Sequence, residues 1–191
     1  MDAHDYAQVF VGGQLVGKLD RTKNEKSLQL PALYAPTKAI IIVEGMGRIN
    51  FGRAIKDYKG IIGNITLTTE NEVCTINYQP RQWKSCTVPD TYEQALKAFR
   101  KASAFNPTIG FLRGYFRGYV NIRKVGDTFI NMESFGKGLV YVNGHALGRF
   151  WNIGPQQTLY LPGCWLKKGR NEIIVLDIAG SNVAPTVFGQ A

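Results

Sequence analysis

The chain has 191 residues, 45% of them hydrophobic, and its 23 basic and 14 acidic side chains give a net charge of +9. That is enough apolar material for one large domain or two small ones, each with a packed core. No apolar run approaches the roughly 20 residues of a membrane helix. The basic residues are scattered, with no dense basic helix or zinc-finger spacing, so a basic surface is expected, with neither membrane nor nucleic acid as a partner.

With 21 Gly, 8 Pro, 10 Phe, 9 Tyr and 3 Trp, the chain reads as all-β with many turns. Met1-Asp2-Ala3-His4-Asp5 lacks the basic start and apolar run of a signal peptide. Gln8 to Val11 and Gln14 to Leu19 form a hairpin around Gly12-Gly13. Ser27-Leu28-Gln29-Leu30 alternates as a half-buried strand does. Ala39 to Val43 is a continuous apolar run, expected as a strand covered on both faces. Gly60 to Thr68 is another strand, broken at Gly63. Asp90 is expected to cap the one helix, with Glu93 completing a capping box. Tyr92, Ala95, Leu96, Phe99 and Ala102 share a face of that helix, and Asn106-Pro107 ends the region. Strands follow at Phe111 to Val120, Asp127 to Met132, Leu139 to Val142, Ala146 to Trp151, Thr158 to Leu161 and Glu172 to Ile178. The stretch 181–191 is expected to be a loose tail.

Cys74, Cys86 and Cys164 have no metal-binding or disulfide-framework spacing, so buried free thiols are expected. No metal and no cofactor is expected. His4 and His145 are the only histidines, and His145 reads as an ordinary turn residue. Asn64-Ile65-Thr66 is a glycosylation sequon, relevant only in a eukaryotic secretory host.

Two parts of the chain match. Val9 to Lys18 parallels Val140 to Arg149, and Ile40 to Glu44 parallels Ile173 to Asp177, at nearly the same offset. Two related β-domains of sandwich type are expected, over 1–72 and 73–180. The second has a long run of strands before its hairpin and the first almost none, so the first reads as truncated at its N-terminus. On this alignment Glu44 and Asp177 are equivalent and make a repeated structural contact.

The run Gly136-Lys137-Gly138, Val142-Asn143-Gly144-His145, Leu147 to Trp151, Gly154 to Leu159 and Pro162 to Gly169 resembles the C-terminal β-domains of family 35 glycoside hydrolases, the β-galactosidases. So does Glu44 to Gly52, with Gly45 where that family has Asn and Phe51 where it has Tyr. Asp57 to Ile61, Asp5, Ala7, Val9 to Gly13 and Asp20-Arg21 fit as well. The resemblance implies two galactose-binding-like jelly rolls that follow a catalytic (β/α)8 barrel. It implies a retaining enzyme whose two carboxylates, roughly 5 Å apart, both come from the barrel. This chain by itself is expected to contribute no catalytic residue, and its partner is that barrel. It further implies a periplasmic, secreted or lysosomal setting. Carried over, Arg48, Asn50 and Phe51 are candidates for the rim of the substrate pocket. Phe150, Trp151, Asn152 and Gln156 have the composition of a sugar-stacking loop or an interface. A stand-alone carbohydrate-binding module for galactosides is the competing reading. Asn71-Glu72 and Asn171-Glu172 look only superficially like a glycosidase Asn-Glu pair, the first in a polar connector and the second in a turn feeding a strand.

Overall fold

The structure is a computed structural model that describes residues 1–68, 75–76, 83–88, 90–101, 112–181 and 188–190. Cys74, Asn71-Glu72, Ala102, Asn106-Pro107 and Phe111 lie outside them. The chain divides into two compact units, Met1–Ser85 and Cys86–Ala191, where the sequence suggests a boundary at 72. Both are built from strands, and one α-helix is present among the described residues.

The first unit contains β1 (Asp2–His4), β2 (Tyr6–Val11), β3 (Gln14–Asp20), β4 (Ala39–Glu44), β5 (Gly60–Ile62), β6 (Leu67–Thr68) and β7 (Thr75–Ile76). Its main sheet runs β3-β2-β4, with β1-β5 and β6-β7 as separate antiparallel pairs. Ala3, Ala7 and Leu19 are its buried apolar centre, covered by Met1, Leu28, Ile41 and Val43. Two expectations fail here. Ser27 to Leu30 joins no ladder and is not a strand; Leu28 packs on the core and over Gly17, where a Cβ would come within 2.7 Å of it. β4 is not covered on both faces: it is an edge strand with Ile40 44% exposed.

The second unit contains α1 (Tyr92–Lys101), β8 (Leu112–Ile122), β9 (Thr128–Asn131), β10 (Lys137–Val142), β11 (His145–Trp151), β12 (Thr158–Leu161), β13 (Gly169–Ser181) and β14 (Phe188–Gln190). One sheet runs β11-β10-β13-β8 and the other β12-β9-β14. Between them Ile130, Met132, Phe135, Val140, Val142, Phe150, Leu161 and Val175 form the core. On the four-stranded sheet's other face, Ala95 of α1 packs with Tyr141 and Ile174, flanked by Tyr92, Leu96 and Phe99. The helical face expected from periodicity is therefore the packed one. Its cap sits one residue later than expected. Thr91 Oγ1 accepts the Gln94 N–H at 3.3 Å, and Gln94 Oε1 reaches back to the N–H of Thr91 and of Asp90. The capping box is thus Thr91 with Gln94, not Asp90 with Glu93. Phe188–Gln190, within the expected loose tail, pairs with β9 as a strand.

The internal match has a structural counterpart. Both hairpins turn on two positive-φ residues, Gly12-Gly13 and Asn143-Gly144, the geometry that continues the strand twist. Both slip register at the same place, between Val9 and Phe10 and between Val140 and Tyr141. In each unit a later strand, β4 in the first and β13 in the second, pairs with the hairpin's first strand. The finer equivalence is off by one. Val9 faces Ile41, whereas Val140 faces Val175, so Asp177 stands at the position of Val43 and Glu44 at that of Ile178. Two apolar β-branched runs can be aligned in either register; ladder pairing decides between them.

Two local expectations are also corrected. Cys86 and Cys164 are exposed; Cys164 sits in the surface turn Gly163–Trp165, whose other residues face inward. Asn171-Glu172 lies inside β13, not in a turn before it.

Candidate functional site

In the first unit the chain sets two aspartates against two cations. Asp5 ends the β1–β2 turn and Arg21 follows β3. Asp57 and Lys59 lie just before β5, two residues apart, and their side chains meet at 2.6 Å. One Arg21 guanidinium nitrogen contacts Asp5 at 2.6 Å and Asp57 at 2.7 Å, and Lys59 Nζ reaches both at 2.6 Å. Both carboxylates are buried. Hydrogen bonds from Lys59 and Arg21 hold the Asp57 carboxyl well below the usual carboxylate range. Burial pushes Asp5 up, yet hydrogen bonds from Lys59, Arg21 and the Met46 N–H leave it lowered. A general-acid pair needs one pKa driven up; here both go down, so these carboxylates serve as anchors.

What they anchor is the loop after β4. The Met46 N–H donates to Asp5 Oδ2 at 2.6 Å and the Ile49 N–H to Asp57 Oδ2 at 3.3 Å. Lys59 Nζ donates to the Gly47 carbonyl and Arg48 to the Asp57 carbonyl. Arg48, Asn50 and Phe51 project from this tethered backbone, with Phe51 88% exposed. The three rim candidates therefore share one loop, fixed at its base and open at its tip.

In the second unit the four residues of the aromatic loop part company. Phe150 is 2% exposed and packs edge-on to Phe135 in the core, so its ring offers no stacking face. Trp151 is half-buried, with Lys137 Nζ 4.6 Å from the ring centre. Asn152 and Gln156 are exposed, but their backbones pin the loop: Asn152 N–H donates to Gly136, and the Gln156 carbonyl accepts from Trp151.

A further group comes together on the outer face of the four-stranded sheet, just beyond the N-terminus of α1. A cavity of about 430 Å³ is lined by Tyr92, Arg117, Tyr119, Lys167, Arg170 and Glu172, with Asn143 at its edge. Glu172 accepts from Tyr92 Oη at 2.5 Å and from Arg117 Nε at 2.7 Å. Burial pushes its carboxyl up, but the Tyr92 and Arg117 hydrogen bonds outweigh that and keep it lowered. Asn171 beside it is fully buried and bonded to Lys167, Gly169 and Asn143, which makes it a structural clamp. His145 stacks on Trp165 at 4.7 Å.

Sequence reasoning missed the anchoring network and this cavity. The signal for the first was Asp57 and Lys59 at strand spacing. For the second it was Arg117-x-Tyr119 and Arg170-x-Glu172, brought together where Tyr119 pairs with Glu172 in the β8–β13 ladder, which only the register reveals.

Two strand-built units, one with a loop tethered by charged groups and the other with a cavity on a sheet face, define a class of β-domain. The comparisons place it more closely. Residues 1–79 match the family "Beta-galactosidase, first all-beta domain" and residues 114–171 match "Beta-galactosidase, galactose-binding domain". The chain is 38% identical to human "Beta-galactosidase-1-like protein 2" over 176 residues, covering 91% of this chain and 26% of that protein. It is 30% identical to the "Beta-galactosidase" of Xanthomonas manihotis, over 84% of this chain and 25% of that protein. "Beta-galactosidase 17" of Arabidopsis thaliana is 31% identical over 92% of this chain and 28% of its own length. The chain belongs to the non-catalytic β-domains of the β-galactosidase family, and it spans about a quarter of the length of these curated relatives.

Proposed function

We propose that the chain is the non-catalytic β-domain part of a retaining β-galactosidase, an enzyme that hydrolyses terminal β-galactosides, and that these domains brace a catalytic (β/α)8 barrel and shape its mouth. The observation that carries this reading is the Met46–Phe51 loop. Two buried carboxylates and two cations are spent on fixing its backbone, while Arg48, Asn50 and Phe51 are left exposed. Such a loop is built to present side chains to something outside the unit. The matched relatives named as β-galactosidases are about four times longer than this stretch, which leaves room for the domain it would serve.

The test is turnover of nitrophenyl β-galactoside, by this chain alone and by the chain joined to a β-galactosidase barrel. The chain alone gives none. In the joined protein, Phe51→Ala and Arg48→Ala each lower kcat/KM roughly five- to tenfold, the scale of one lost contact. Turnover by the chain alone, or unchanged kinetics in both variants, overturns the reading. The matched galactose-binding domain favours a second one, a stand-alone galactoside-binding module. It predicts saturable calorimetric binding of galactose and lactose by the isolated chain, lost on Trp151→Ala.

A further inference from the structure

We propose that the cavity on the outer face of the β11-β10-β13-β8 sheet binds the sulfate or carboxylate group of an acidic saccharide. The sheet puts the groups there. Arg117 and Tyr119 lie on one face of β8, and Tyr119 pairs directly with Glu172 on β13 while Arg170 precedes it by two residues on the same face. α1 covers this face only as far as Tyr92, so the residues beyond it stay open.

The charges do not balance. Arg117, Lys167 and Arg170 line the cavity, and Glu172 is the one carboxylate among its described lining residues. Glu172 is engaged by Arg117 and Tyr92, so that pair is internally neutral. Lys167 and Arg170 have no ion-pair partner among the described residues. The Arg170 guanidinium carbon lies 3.6 Å from the centre of the Tyr119 ring, and that of Arg117 5.6 Å from the same ring. The ring therefore serves as a platform that holds a guanidinium in place, where its forked donors suit a planar or tetrahedral oxyanion. The Tyr92 and Tyr119 oxygens remain able to accept hydrogen bonds from hydroxyls, which a sugar has and a bare anion lacks. The volume falls in the usual range for small-molecule sites, roughly 300–1,000 Å³. The saccharide part rests on the galactoside reading above.

The test is calorimetric titration of the 191-residue chain at low salt with galactose 6-sulfate, galacturonate, galactose and sodium sulfate. The acidic sugars are expected to bind at least about tenfold more tightly than galactose and than sodium sulfate. Binding should weaken as salt rises, because exposed charges are screened beyond roughly 8 Å at physiological ionic strength. R170A and K167A, both at exposed positions, should each weaken it on the order of tenfold with an unchanged circular dichroism spectrum. Galactose binding as tightly as the acidic sugars overturns the proposal. So does sodium sulfate doing so, unchanged binding in both variants, or no saturable binding at all. None of these results touches the turnover test of the Arg48–Phe51 loop, so the two readings fail separately.

Discussion

A single side chain in the first unit is out of keeping with its surroundings. Gln8, on the central strand of the three-stranded sheet, is 1% exposed, and neither its oxygen nor its nitrogen has a hydrogen-bond partner among the described residues. A buried amide left unpaired costs on the order of 1–3 kcal/mol, while an apolar group of similar shape at the same place costs nothing of that kind. Gln8→Met should therefore stabilise the unit by about 1 kcal/mol and raise its Tm by a few degrees. A thermal melt decides: an unchanged or lower Tm would mean that the amide is satisfied after all. Asp5 is the opposite case. It is equally buried, yet it is met by Arg21, Lys59 and the Met46 N–H, so both carboxylate oxygens are engaged. Both are polar residues flanking Tyr6-Ala7, and only their partners tell them apart.

At the level of single elements, the hairpin of the second unit depends on one glycine. β10 lies between β11 and β13, and a Cβ at Gly138 would stand 1.7 Å from the Leu176 carbonyl oxygen across the ladder. Backbone cannot yield as a flexible side chain can. Gly138→Ala should cost about 4 kcal/mol or more, or leave the unit unfolded. Gly118, in the edge strand β8, has nothing within 4 Å of its would-be Cβ and no positive φ, so Gly118→Ala should shift stability by no more than about 0.5 kcal/mol. Chemical denaturation of the two variants checks the pair, and equal effects would sink the explanation. This level also marks how far the sequence could be read. The two hairpins, the helix face and the late strands were legible because each has a local signature: Gly12-Gly13 and Asn143-Gly144 at the turns, Tyr92, Ala95 and Phe99 at helical spacing. What the sequence left open was set by non-local pairing. The register of β13 against β10, the covering of Phe150, the exposure of Ile40 and the strand at Phe188–Gln190 all depend on which segment lies alongside. The Arg117, Tyr119, Arg170 and Glu172 cluster is hidden for the same reason, since it is assembled across a ladder from residues about fifty apart.

Across the chain as a whole, charge is used in two ways, and pH separates them. Most of the described basic side chains are exposed. The four-membered network of the first unit is different, because Asp5 and Asp57 have lowered pKa values while those of Arg21 and Lys59 are raised. A carboxylate with a depressed folded pKa contributes stability that is fully present above its unfolded value, about 3.9, and is lost as pH falls through the folded one. A lysine with a raised pKa contributes below its unfolded value, about 10.4, and loses that contribution as pH rises further. The first unit should therefore hold constant stability between about pH 5 and pH 10, and lose it steeply below pH 4. The loop bearing Arg48, Asn50 and Phe51 should loosen with it, because Met46 and Ile49 are bonded to those same carboxylates. Amide hydrogen exchange, followed at Ala7 and Leu19 of the core and at Met46 and Ile49 of the loop, reads this directly. Acid should accelerate exchange at all four together beyond the change in intrinsic rate. Asp5→Asn should be less stable at pH 7 by about 3 kcal/mol, the cost of unpairing buried cations, and should show a shallower decline below pH 4 because one titrating group is gone. If the variant keeps the steep acid limb, or if the loop amides open while the core amides do not, the network does not link loop to core.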